Sequence, residues 1–460
     1  MRIAEQARGR AFQDLLAGRD PAGEVASGSN AAQAQPAHDP AAPPPHLAVR
    51  GATSAPKAVA DGRARGIDSA ASVAPPDIDD ITALAARLRS PLLSYWVGPR
   101  ESFVWIVTPG GSVEASRIPA GAARLERLAR AVSAGPADRS APAPVPRAGP
   151  GGPAVLVLEP CERELRELFD LLVRPVQSTL RRHPTQRIAI IPHGPLFRVS
   201  FASLIDERGR YLIEDYEVHY APAVGVFRFT PRASHPAAAG RPLFVADPDL
   251  QPPAAPADSL PPLPGARREV ADAARILGGK PEMLIGPQAT KAKVERRLAG
   301  HDVVHFATHA VVTDRNPLGS YLALARDPKS PVSEGRLTAA EVYSLKLDAD
   351  LVVLSACRTG AGRISGDGIS GLTRGFMYAG SPSVLATMWD LADEPGQFLM
   401  GRFYAAWKRG GSKAGALRSA QLDLIRALRA GRVAVNTPFG PVVLREHPSL
   451  WAAFVLMGES

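Results

Sequence analysis

The sequence predicts an α/β fold built on a largely parallel sheet flanked by helices. Two observations predict it. Apolar runs without polar alternation, RIAII at 187–191, VVHF at 303–306 and LVVL at 351–354, have the pattern of strands covered on both faces. Between such runs, apolar residues recur three or four apart, so strand and helix patterns alternate from Ile78 onward. A chain of 460 residues with 45% hydrophobic content has room for two to three domains and a large core.

Taken in order, residues 4–17 read as one helix, with Phe12, Leu15 and Leu16 on an apolar face that nothing near in sequence covers. Residues 18–76 are dominated by Ala, Pro, Gly, Ser and Asp. They bury too little apolar surface to offset ordering entropy and are expected to form a disordered linker. Order resumes at Asp77, where Asp77 or Asp79 caps a helix through Arg87. Strands follow at Leu92–Val97, Phe103–Val107 and Val113–Ile118, then an amphipathic helix at Gly121–Val132 and a Pro/Ala/Gly-rich inserted loop at 134–153. A long helix is expected over Cys161–Leu180, and strands at Arg187–Ile191 and Tyr216–Tyr220. Downstream come a strand at Leu243–Ala246, a helix at Gly265–Leu277, a strand at Met283–Ile285 and a helix at Ala289–Leu298 capped by Thr290. The last third reads as strands Val303–Phe306 and Tyr321–Ala325, helix Leu337–Leu345, strand Leu351–Leu354, a helix from Ile369 and strand Val384–Trp389.

The net charge of +9 raises the question of an anionic partner. The arginines of 124–174 are interleaved with Glu126, Glu162, Glu164 and Glu167, with no compact basic run, so they read as solvated helix faces and no nucleic-acid partner is expected. Two cysteines, Cys161 and Cys357, make no disulfide framework and suit a reducing compartment. No apolar run approaches the ~18 residues of a membrane span, and the mixed-charge N-terminus is not a signal peptide. The expectation is a cytoplasmic protein without a membrane partner.

Two strand ends carry chemistry. Cys357 follows LVVL, at the carboxyl end of a buried strand, where open α/β sheets place their sites. On that stretch alone, a small buried hydrophobe is the preferred reading. His309 follows VVHF, whereas His305 lies within it and is expected to be packed and hydrogen-bonded. A right-handed crossover makes the two strands parallel in one sheet, and as neighbours they would bring imidazole and thiol to one edge. The separation of 48 residues is close to the roughly 50 between His and Cys in caspases. An imidazole that draws off the thiol proton leaves a thiolate, the nucleophile for a peptide carbonyl. Cys161, at a helix start with no histidine placed to act as its base, reads as structural. His193, after RIAII, reads as a turn or core histidine.

The blocks HDVVHFATHA, NPLGSYLALA, GRLTAAEVYSL, DLVVLSACRTG, GDGISGLTRGFMYAGSPSVLATMW and WAAFVLMG, in this order and spacing, resemble the CHAT family of caspase-like cysteine peptidases. RIAIIPHGPLFRVSFASLIDERGRYLIEDYEVHYAPA is similar to the segment preceding the catalytic half in that family, so the resemblance covers about residues 77–460. It implies a caspase-like fold with a pseudo-caspase half at 77–230 and a catalytic half at 231–460. It implies an endopeptidase acting on a protein or peptide substrate, open to a regulatory protein partner, with neither metal nor cofactor. The nucleophile falls on Cys357 and the base on His309. Oxyanion N–H groups come from Cys357 and Ala310, where the family usually has glycine. Arg358 stands where the family commonly has glutamate, and an inward-pointing cation there would lower the thiol pKa. Asp390 and Asp393, with Glu394, either line an acidic pocket for a basic P1 residue or cap the helix beginning near Glu394, the capping reading being preferred. The helix at 4–17 resembles the last helix leading out of a tetratricopeptide array. The rival to the enzyme is an idle caspase-like scaffold or signalling module.

Overall fold

The computed structural model describes residues 77–133, 154–156, 158, 161–183, 185–221, 224–228, 240–250, 260–312, 316–327, 335–355, 366–437 and 440–460. The expected helix at 4–17, the linker at 18–76, the loop at 134–153, Cys357 and Arg358 lie outside the described residues.

The strands are β1 Leu92–Val97, β2 Ser102–Val107, β3 Val113–Ile118, β4 Ala154–Leu156, β5 Arg187–Ile191, β6 Glu217–Tyr220, β7 Pro242–Pro248, β8 Glu282–Gly286 and β9 Val303–Ala307. They continue with β10 Ala310–Val311, β11 Tyr321–Ala323, β12 Arg336–Thr338, β13 Leu351–Leu354, β14 Ser383–Thr387, β15 Ala434–Thr437, β16 Gly440–Leu444 and β17 Phe454–Gly458. The main helices are α1 Ile78–Leu88, α2 Ala122–Val132, α3 Glu162–Leu172, α4 Gln177–Arg182, α5 Pro264–Leu277, α6 Gly366–Tyr378, α7 Asp393–Lys408 and α8 Lys413–Arg429.

Local chemistry explains most boundaries. Asp77 and Asp80 form a reciprocal capping box that starts α1. Pro175 ends the expected long helix over Cys161–Leu180: α3 stops at Leu172, a 3-10 turn spans Arg174–Val176, and α4 follows. Proline has no N–H for the ladder and its ring strikes the preceding turn. The expected helix Leu337–Leu345 is shorter, Ala339–Val342: Thr338 and Glu341 form a capping box that sets its start and leaves Leu337 in β12. Thr290 occupies the N-cap position of the helix Lys291–Arg297, although its side chain makes no cap bond.

Eleven strands form one sheet in the order β3-β2-β1-β5-β6-β17-β14-β13-β9-β7-β8. Strands β1, β5, β6 and β17 run one way. Strands β14, β13, β9, β7 and β8 are parallel to one another and antiparallel to β17. The sheet therefore joins residues 77–230 to 231–460 through one seam, β6–β17–β14, and the strands on its two sides point opposite ways. His219 of β6 bridges the seam, its Nδ1 lying 2.9 Å from the Gly458 carbonyl. Gly458 adopts φ +102, and a Cβ there would meet the Pro382 carbonyl oxygen at 2.1 Å, so only glycine fits. Because of the reversal, the carboxyl ends of β5 and β9 open on opposite edges of the sheet.

Between β9 and β13 the chain forms a small antiparallel sheet, β10-β11-β12, and returns to place β13 beside β9. The central strands are buried along their whole length. Phe306 packs on Phe376 of α6 with ring centroids 5.7 Å apart. Truncating Phe306 to alanine would cost about 3–5 kcal/mol.

Candidate active site

Strands β9 and β13 are parallel neighbours, with Phe306 opposite Leu354. His309 lies three residues beyond Phe306, and Cys357 three residues beyond Leu354, in the same chain direction. The expected parallel pairing of the two strands is present.

His309 is held from several sides. Its carbonyl accepts the Ala323 N–H at 2.8 Å, and the neighbouring Thr308 hydroxyl donates to the Ala323 carbonyl, so both residues are pinned to β11. The imidazole is buried, with Nε2 2.7 Å from the Pro261 carbonyl oxygen. A carbonyl only accepts, so Nε2 carries the proton and the lone pair of the neutral ring is on Nδ1.

Ala310 opens β10. It stands opposite Leu322, and the Ala323-to-His309 bond makes this a non-hydrogen-bonded pair. The ladder therefore leaves the Ala310 N–H directed away from β11. Among the described non-glycine residues only Arg89 and Asp247 have positive φ, so alanine is accommodated at 310 without left-handed strain.

A cavity of about 360 Å³ opens beside His309. Its described lining includes Ser355, Thr387, Asp390, Asp393 and Glu269, with Phe454 among its apolar residues, and no lysine or arginine. Asp390 follows β14. Asp393 is the first residue of α7, whose N-cap is Ala392 with no side-chain cap bond. Neither aspartate is thus the side-chain cap of α7, although Asp393 and Glu394 in its first turn suit the helix dipole. The Asp393 carboxylate also rests on Gly265 in the first turn of α5, where a Cβ would meet Oδ2 at 2.1 Å.

From the cavity lining, Glu269 of α5 reaches to 3.0 Å from His305 Nε2, and the Tyr404 hydroxyl lies 3.0 Å from His305 Nδ1. His305 is fully buried and hydrogen-bonded, as its place within the strand suggested. Burial, and then Glu269, hold the Tyr404 hydroxyl well above its ordinary pKa, so it remains a donor.

His193 lies on the opposite edge. It stacks on Trp96 with centroids 4.3 Å apart, and its Nδ1 accepts the Val97 N–H at 3.0 Å. Cys161 does have a histidine beside it, contrary to expectation: His447 Nε2 is 3.6 Å from its sulfur, from 286 residues away in sequence. Sequence reading also missed Pro261 and Glu269; the run LPPLP at 260–264 was the one visible signal, marking a stiff segment.

A family model described as the CHAT domain matches residues 162–459. The chain belongs to the CHAT-domain family. The family match begins at the first residue of α3, whereas the resemblance read from the sequence begins at Asp77. This CHAT domain is 30% identical over 343 residues to tetratricopeptide repeat protein 28 of Mus musculus, and 27% identical over 342 residues to that of Homo sapiens. Each match covers 64% of the chain but 13% of the relative, so the domain spans a small part of the curated relatives it matches. Among solved structures, it is similar to the Arg-specific cysteine proteinase gingipain R at 9% identity and TM-score 0.39, covering 63% of this chain and 68% of that one. It is also similar to the Saccharomyces cerevisiae separase–securin complex at 9% identity and TM-score 0.47, covering 87% of this chain and 31% of that one. No helix of the described residues is long and apolar enough to cross a membrane.

Proposed function

We propose that this CHAT domain is a cysteine endopeptidase. The observation that carries the reading is the β9–β13 register, in which His309 and Cys357 stand at the same count beyond paired residues of adjacent parallel strands. In this mechanism the lone pair on His309 Nδ1 takes the proton from the Cys357 thiol. The thiolate attacks the scissile carbonyl, and the N–H groups of Ala310 and Cys357 stabilise the oxyanion. The imidazolium returns its proton to the leaving amine, and water then hydrolyses the thioester. Asp390 and Asp393, in a cavity whose described lining has no cation, supply the charge that a lysine or arginine side chain at P1 requires. Cleavage of a protein substrate under the control of a protein partner suits the family. In the curated relatives the domain lies within a protein named for tetratricopeptide repeats.

A peptidyl acyloxymethyl ketone with arginine at P1 tests the proposal. It is expected to label Cys357 in the full chain, and the label should vanish in His309→Ala. New N-termini in a proteome exposed to the active chain, absent with Cys357→Ala, would identify the substrate. Absence of both label and cleavage leaves the scaffold reading.

A further inference from the structure

We propose that Asp247 is a positioning residue for His309, acting through a proline strap; the catalytic meaning of this role rests on the peptidase reading above. Asp247 is the penultimate residue of β7, at a register shift between Ala246 and Pro248, and it is one of two described non-glycine residues with positive φ, at +41. That conformation is uncommon for any side chain, and the proline that follows restricts the residue further. Such strain persists only where surrounding contacts over-determine it. The contacts are evident. Asp247 is 6% exposed, and its Oδ1 accepts the Leu263 N–H at 2.6 Å while its Oδ2 accepts Arg267 Nε at 2.5 Å.

Leu263 is the only residue of Pro261–Pro262–Leu263–Pro264 that has a backbone N–H. Asp247 takes that single donor. The same segment presents the Pro261 carbonyl to His309 Nε2 at 2.7 Å. Three prolines make the strap stiff, so fixing it at Leu263, and at Arg267 one turn into α5, fixes a carbonyl two residues away. That carbonyl selects the imidazole tautomer with its lone pair on Nδ1. Asp247 therefore sets the protonation geometry of a ring it does not touch. The competing structural account is that Asp247 only starts α5, in place of a side-chain cap that Leu263 cannot make. The two accounts differ in whether the His309 ring responds.

The experiment uses the full chain with 15N-labelled histidine, reading the ring nitrogens of His309 by NMR and, separately, Cys357 alkylation by iodoacetamide against pH. Asp247→Gly removes the carboxylate while relieving the positive φ. It is expected to erase the Nε2-protonated signature and to slow Cys357 alkylation below neutral pH. On a cleavable peptide it should lower kcat on the order of tenfold, with KM within about twofold. Asp247→Asn keeps an acceptor for Leu263 and tolerates the backbone, so it should restore the signature. Should the glycine variant fail to fold, Asp247→Glu carries the test: the charge remains but the arm is one methylene too long, and the signature should shift the same way. A wild-type ring signature and alkylation profile in a folded Gly or Glu variant overturns the proposal. The ring readout does not require turnover, so a chain that cleaves nothing but loses its His309 signature in Asp247→Gly would refute the peptidase and retain the positioning role.

Discussion

Three histidines follow strands, His193 after β5, His309 after β9 and His447 after β16, and their backbone partners separate them. His193, beyond β5, spends its Nδ1 lone pair on the Val97 N–H. His447 spends its Nδ1 lone pair on the Ser449 N–H at 3.2 Å, so its other nitrogen, facing Cys161, carries the proton and donates to sulfur. His309 directs its Nε2 proton at the Pro261 carbonyl, which places the ring's lone pair on Nδ1. Proximity of imidazole to thiol is therefore not what makes a base. A backbone N–H disarms the ring, and a backbone C=O arms it. The sheet adds the second difference, because the antiparallel β17–β14 pair reverses strand direction and puts His193, beyond β5, at the edge opposite His309.

The sharpest way to break this comparison is to remove each ring in turn. His309→Ala should lower the cleavage rate by on the order of a thousandfold or more, whereas His193→Ala, at the wrong edge and without a lone pair to offer, should leave it within about twofold. Initial rates on a fluorogenic peptide with arginine at P1 decide it. Equal losses in both variants would mean that strand-end position, and not the polarity of the backbone partner, is what matters.

The carboxylates of the cavity come next in size. Asp390→Asn and Asp393→Asn should each reduce kcat/KM for lysine or arginine at P1 by roughly tenfold, and far less for a neutral P1 residue. Asp393 should give the smaller loss, because its carboxylate also sits on the first turn of α5. A uniform loss across P1 residues would assign both aspartates to helix geometry and withdraw them from recognition.

How much of this was legible beforehand follows the range of the interactions. The buried strands, their parallel pairing and the packed state of His305 follow from periodicity and crossover handedness, which act over a few dozen residues. The break at Pro175 was equally local and visible, and its proline should have divided the expected helix. The β17 seam, the Pro261 carbonyl, Glu269 in the cavity wall and His447 beside Cys161 depend on contacts across tens to hundreds of residues, which no spacing rule reaches. Tautomers are harder still, since they are set by a single backbone group whose identity the ring's own neighbours do not reveal.

The seam offers a pH test of a histidine with no chemical role. Burial pushes His219 down to about 4, from an ordinary value near 6.5, so the folded chain keeps this ring neutral. Between those values the unfolded chain binds the proton and the folded chain does not. Stability from this site is thus complete above about pH 6.5 and declines as pH falls toward 4, by ~3 kcal/mol in all. Melting temperatures at pH 4.5 and 7.5 should show a steeper acid loss in the wild-type chain than in His219→Asn. Parallel losses would place the acid sensitivity elsewhere.

The smallest expected effect belongs to the disarmed thiol. Burial first, and then the charge of Glu164, push Cys161 up to about 11. Two units above the ordinary thiol leaves about a hundredfold less thiolate at pH 8. The His447 N–H directed at the sulfur stabilises a thiolate modestly but cannot accept the thiol proton. Peptide mapping after brief iodoacetamide treatment at pH 8 should therefore find Cys161 almost unmodified under conditions that alkylate Cys357. Cys161→Ala should leave cleavage rates unchanged, because the thiol it removes lies by a ring with no lone pair to spare. Rapid alkylation of Cys161, lost in His447→Ala, would show that a ring whose lone pair is committed to a backbone N–H still activates sulfur, and the distinction between the armed and disarmed histidines would fail.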